Sequence, residues 1–136
     1  MKKRRLSILL SIVMLFSLLP TTALAATYPN SVRVYNASGN ITSLDDGQCL
    51  ATNDSNATSY TSGSTYVARY EKSSGTLYLK DYHGVAADGK IFANGDLNIV
   101  VESDSSFTTS VATSGDLYGI QAGGTLTISG SGKLTV

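Results

Sequence analysis

One pattern near the C-terminus occurs twice at a single fixed spacing. Ile91-Phe-Ala-Asn-Gly95-Asp-Leu97-Asn-Ile99 returns as Ile120-Gln-Ala-Gly-Gly124-Thr-Leu126-Thr-Ile128. Ile91/Ile120, Ala93/Ala122, Gly95/Gly124, Leu97/Leu126 and Ile99/Ile128 are each 29 positions apart, and Phe107 and Val136 keep the same offset. A period between roughly 20 and 50 residues marks stacked supersecondary units, each burying its apolar face against the next. Few folds satisfy such a constraint.

The N-terminus is of another kind. Lys2-Lys-Arg-Arg5 precedes an apolar stretch from Leu6 to Leu19, Pro20 breaks it, and Ala23-Leu24-Ala25 supplies small residues for a signal peptidase. Fourteen residues are short of the roughly 20 that a membrane span takes. Residues 1–25 therefore read as a secretory signal peptide, and the protein as secreted, at the cell surface. The chain holds ten basic and ten acidic residues, and four of the basic ones lie at positions 2 to 5. Six basic residues then face ten acidic ones, a formal charge of −4. That balance argues against nucleic acid and anionic membrane as partners. Cys49 is the only cysteine, which excludes an intramolecular disulfide and predicts a small buried residue.

After the leader, apolar residues alternate with polar ones. Val32 and Val34 flank Arg33, Leu77 and Leu79 flank Tyr78, Leu126 and Ile128 flank Thr127, and Leu134 and Val136 flank Thr135. Period two with β-branched enrichment is the strand signal, and Gly-containing turns fall between the runs. The fold class is all-β. Strands stacked in parallel register, about 4.8 Å apart, would place Ile91 on Ile120, Leu97 on Leu126 and Ile99 on Ile128. The expected architecture is a short right-handed parallel β-helix, or β-solenoid, of two to three coils. A β-sandwich, with Asn94-Gly95-Asp96 closing a hairpin, is the alternative. Residues 26–75 read as an irregular β capping segment, with the polar run Asp54 to Ser64 left without order. Residues 76–136 read as the coils, with a weaker early one through Gly75-Thr-Leu-Tyr-Leu79. Stacked arrays need about three units and a capped end, so the chain is expected to be part of a longer surface protein with further domains.

The phrases Ala93-Asn-Gly-Asp-Leu-Asn-Ile99, Tyr118-Gly-Ile120 and Gly124-Thr-Leu-Thr-Ile-Ser-Gly-Ser-Gly-Lys-Leu-Thr-Val136 resemble a known family. Its members are secreted surface proteins of Gram-positive, often anaerobic, bacteria that carry a carbohydrate-binding β-helix domain. The resemblance covers roughly residues 66 to 136. It implies binding of acidic or cellulosic plant polysaccharide, in some members with calcium, and it transfers no ligand residue.

The chemistry legible in the residues is sparse. Asp96 stacks on Thr125, Glu102 on Ser131 and Asp104 on Lys133, so no carboxylate column forms of the kind a glycosidase needs. His83, the only histidine, reads as an exposed turn residue. The chain is not expected to be an enzyme. Asp88, Asp96, Asp104 and Asp116 are the candidate calcium ligands if the coil corners gather them, and turn formation accounts for them otherwise. Five tyrosines lie between residues 60 and 82. With Leu77 and Leu79 inward, Tyr78 points outward, and Tyr82 shares that side if alternation continues. Both are candidate carbohydrate platforms. The expectation is an extracellular, non-catalytic module whose partner is a polysaccharide. The rival is a structural stalk or adhesin segment without glycan binding.

Overall fold

A computed structural model describes residues 25–87, 89–110 and 119–136. Among them thirteen strands form three sheets, and no α-helix occurs. The first five are β1 (Ser31–Tyr35), β2 (Ile41–Asp45), β3 (Gln48–Leu50), β4 (Ala57–Ser59) and β5 (Ala68–Glu71). A 3₁₀ turn at Lys72–Ser74 leads into β6 (Thr76–Leu79), β7 (His83–Ala87) and β8 (Ile91–Ala93). Then come β9 (Leu97–Val101), β10 (Ser105–Ser110), β11 (Ile120–Ala122), β12 (Leu126–Gly130) and β13 (Leu134–Thr135). The sheets run β12-β9-β6-β5-β3-β4, β13-β10-β7 and β11-β8-β1-β2.

From β6 onward, each strand pairs in parallel with the strand three places later. The repeat seen in the sequence is the register itself. Ile91 sits beside Ile120, Leu97 beside Leu126 and Ile99 beside Ile128. Asn94-Gly95-Asp96 carries the chain from one sheet to another, because β8 and β9 belong to different sheets. Gly95 has φ 156° and lies under the Thr27 carbonyl, where a Cβ would collide with it. The preceding layer keeps a different spacing. Leu77 pairs with Ile99, 22 positions on, and His83 with Ser106, 23 positions on. Between β10 and β11 the chain lengthens again, and from there the offset is 29. Gly75-Thr-Leu-Tyr-Leu79 thus lies two residues out of step with the phrase it resembles: Leu77 stacks on Ile99, not on Leu97.

The preceding strands are antiparallel. β1 pairs with β2 and β8, β3 with β4 and β5, and β5 with β6. Local turns set the registers of β1 with β2, β3 with β4 and β5 with β6, as where Gly75, at φ 60°, closes the 3₁₀ turn between β5 and β6. The polar run 54–64, expected to lack order, is structured. Ala57–Ser59 pairs with β3, and Ser55 and Ser64 each bond the backbone of the residue three places earlier. Short hydroxyl side chains that bridge the backbone three residues away stabilise such turns without apolar burial.

Both halves share one core. Val32, Val34, Leu44, Leu50, Tyr70, Leu77, Leu79, Ile91, Leu97, Ile99 and Phe107 are buried, each contributing about 1.5–3 kcal/mol of transfer free energy. Cys49 is buried as expected. The last layer differs: Leu126, Ile128 and Val136 are 38%, 50% and 63% exposed.

Candidate ligand face

The outward side of the six-stranded sheet carries the most concentrated chemistry. In β5, Ala68 and Tyr70 are buried, so Arg69 and Glu71 between and beyond them point away from the core. In β6, Leu77 and Leu79 are buried and Tyr78 is half-buried. Arg69 and Tyr78 are direct cross-strand partners. The Arg69 guanidinium lies 4.2 Å from the Tyr78 ring centre, 4.7 Å from that of Tyr60 and 5.5 Å from that of Tyr66. Tyr60 and Tyr66 meet edge to face with centres 5.6 Å apart. Cation–π contacts of this kind contribute about 0.5–1 kcal/mol each at exposed sites and more when desolvated.

Two carboxylates hold the rim. The Tyr66 hydroxyl donates to Glu102 at 2.8 Å, and the Tyr78 hydroxyl to Glu71 at 3.2 Å. Burial, then the Glu102 carboxylate that accepts its proton, pushes the Tyr66 hydroxyl up to about 12. Burial disfavours the Arg69 charge, but Tyr66, Tyr78 and Glu71 outweigh it and the net shift is upward. The Arg69 Nε is buried without a hydrogen-bond partner. An open cleft of about 340 Å³ borders Tyr66, with Gly63, Ser64, Lys80 and Asp81 on its walls. Three ring systems, one guanidinium and two carboxylates provide stacking surface together with donors and acceptors for hydroxyl groups.

Tyr78 therefore points outward as alternation predicts. Tyr82 does not. Its ring is fully buried and its hydroxyl donates to the Tyr35 carbonyl at 2.6 Å, so it offers no face to a sugar. The cause is Asp81, which at φ 54° is the one non-glycine residue with positive φ among the described residues. The chain turns there from one sheet to the next, and period-two bookkeeping does not survive a left-handed residue. Arg69 was not among the sequence candidates. Its only signal is its place between two inward residues, and its contact with Tyr78 depends on the β5–β6 register.

Of the four candidate calcium ligands, Asp96 and Asp104 are among the described residues. Asp96 accepts the Thr125 amide at 2.7 Å through Oδ1 and the Thr27 amide at 3.0 Å through Oδ2. Asp104 accepts the Lys133 amide at 2.8 Å. Each ties its corner to a segment 29 residues further along the chain. Asp88 and Asp116 lie outside the described residues. Among the described residues no group of three His, Cys, Asp or Glu side chains is placed to hold a metal ion.

His83 opens β7 rather than occupying a turn. Its Nδ1 lies 2.8 Å from Ser106 Oγ and its Nε2 3.2 Å from an Asp81 carboxylate oxygen. The order of groups is that of a nucleophile relay, but acyl transfer also needs donors aimed at a developing oxyanion. The Ser106 amide is already given to the Tyr82 carbonyl. His83 and Asp81 are 52% and 77% exposed, so the pair stands open to solvent.

No protein-family model, curated protein or solved structure matches the chain. No helix among the described residues is long and apolar enough to cross a membrane.

Proposed function

We propose that this chain is a secreted, non-catalytic carbohydrate-binding module built as a short parallel β-solenoid. The glycan would lie across the Tyr60, Tyr66, Tyr78 and Arg69 face. The observation that carries this reading is the gathering of three half-buried tyrosine rings around one guanidinium on the outer side of the six-stranded sheet. Rings present CH–π surface to a pyranose, and Arg69, Glu71 and Glu102 present hydrogen-bonding groups at its edge. The solenoid reading is supported by the parallel pairing of β9 with β6 and β12, of β10 with β7 and β13, and of β8 with β11.

A second reading, a structural stalk, is favoured by one specific feature. Arg69 already lies against the tyrosine rings, and outward neighbours such as Asn98 and Thr127 are small and polar. In that reading the cluster only stiffens the sheet.

Retention of the exported chain on insoluble cellulose and pectin, with calcium and with chelator, separates the two. Binding by the wild type and about tenfold weaker binding by Tyr78→Ala, equivalent to about 1.4 kcal/mol, is the expected outcome. A folded wild type retained on neither polymer would leave the stalk. Loss of retention with chelator alone would move the site to the coil corners.

A further inference from the structure

Residues 27–30 precede the first strand, yet they are held on several sides. The Thr27 amide donates to Asp96 Oδ2 at 3.0 Å, and the Thr27 carbonyl accepts the Asp96 amide at 2.9 Å. The Tyr28 ring lies over Gly75, where a Cβ would collide with it. Pro29 is buried, and its carbonyl accepts the Tyr70 hydroxyl at 2.6 Å. Asn30 Oδ1 accepts from Lys72 Nζ at 2.7 Å. The segment is a strap that joins the β8–β9 corner to β5 and the turn after it.

Asp96 anchors this strap. Its side chain is half-buried, and each of its oxygens accepts one backbone amide, from Thr125 and from Thr27. An ionised carboxylate has about four acceptor sites, so both oxygens have room for a further donor. Taking a carboxylate out of water is costly unless a cation or several donors offset it. Ala25 and Ala26 line the same cleft as Asp96, a space of about 380 Å³. Among the described residues no lysine, arginine or histidine lines that cleft or the one beside it.

We infer that the cation for Asp96 is the chain's own N-terminus, created when the leader is removed. This rests on reading residues 1–25 as a signal peptide. Hydrolysis of the Ala25–Ala26 bond adds one water across it. Ala25 leaves with the leader as a carboxylate, and Ala26 keeps the nitrogen as an ammonium. In the uncut chain that nitrogen is a neutral amide with one proton to donate. After the cut it carries a charge and three protons, one residue from the Thr27 amide that Asp96 already holds. Processing therefore completes the strap, and the acid that a sequence offers to calcium serves the terminal ammonium instead.

The first measurement is N-terminal sequencing of the exported chain, with Ala26 expected as its first residue. An intact leader, or another first residue, would overturn the leader reading and the inference with it. With Ala26 confirmed, transamination by pyridoxal phosphate converts the terminal amine to a keto group and leaves lysine side chains intact. Loss of that charge should lower the urea midpoint by about 0.3 M. Asp96→Asn should abolish the difference between the amine and keto forms, whereas Asp104→Asn should keep it. Equal midpoints for the two wild-type forms would overturn the pairing and leave the leader reading standing. A difference that persists in Asp96→Asn would place the ammonium on another group and overturn the inference as well.

Discussion

The antiparallel strands β1–β5 and the parallel strands β6–β13 bury the same kinds of residue, yet they specify register by different means. In the antiparallel half, the pairings of β1 with β2, β3 with β4 and β5 with β6 are closed by local turns, and no two stretches need resemble each other. In the parallel half, each layer must accept the next, so the sequence repeats wherever the layers have equal length. Two layers 29 residues apart reveal themselves. The layer that stands 22 residues before β9 does not. An internal repeat is therefore a sign of parallel strand layers of equal length, and its absence says nothing about whether parallel strands are paired there.

The sharpest way to break this comparison is to remove equivalent side chains from successive layers. Ile99→Ala, in the fully covered layer, should cost about 2–5 kcal/mol of unfolding free energy. Ile128→Ala, its partner one layer on and half exposed, should cost about 1 kcal/mol or less. Equal costs in urea titrations would mean that the last layer is as well covered as the one before it.

A smaller effect tests how the halves are joined. The Tyr82 hydroxyl, at a corner of the parallel half, donates to the Tyr35 carbonyl and accepts the Tyr35 amide at the end of β1. Tyr82→Phe removes that buried link and should destabilise by about 1–3 kcal/mol. A neutral substitution would show that the halves hold together by packing alone.

The smallest effect is a pH dependence. Tyr66 and Tyr70 have hydroxyls pushed up to about 12, chiefly by burial. Their folded pKa lies above the unfolded value of about 10, so the folded state holds these protons more tightly. Their contribution to stability is complete below pH 10 and is lost as pH rises towards 12. Urea midpoints should fall across that window, and Tyr66→Phe should flatten the fall. A midpoint unchanged by the substitution would count against coupling through the Tyr66–Glu102 bond that ties the two halves.

Much of this was legible in particular residues. Alternation around Leu77 and Leu79 placed Tyr78 outside, and the offset placed Asp96 beside Thr125 and Asp104 beside Lys133. The contacts of those acids were not legible, because a carboxylate that accepts a distant backbone amide and one that waits for a cation look alike in a sequence. Tyr82 was misplaced because nothing in Lys80-Asp81-Tyr82 announces a left-handed aspartate. The run 54–64 looked unordered because its stabilising bonds are local and polar, and leave no apolar trace.

The sequence by itself determined the all-β class, the inward columns and the register of the last two layers, because period-two burial and a fixed offset are properties of order along the chain. Only the tertiary structure decided which outward residues share a face. Arg69 meets Tyr78 across a strand pair, Tyr60 and Tyr66 join them from the connection between β4 and β5, and Glu102 arrives from the parallel half. Such a cluster depends on how turns of different length bring distant strands side by side, and side-chain contact across strands has no period that a linear reading can follow.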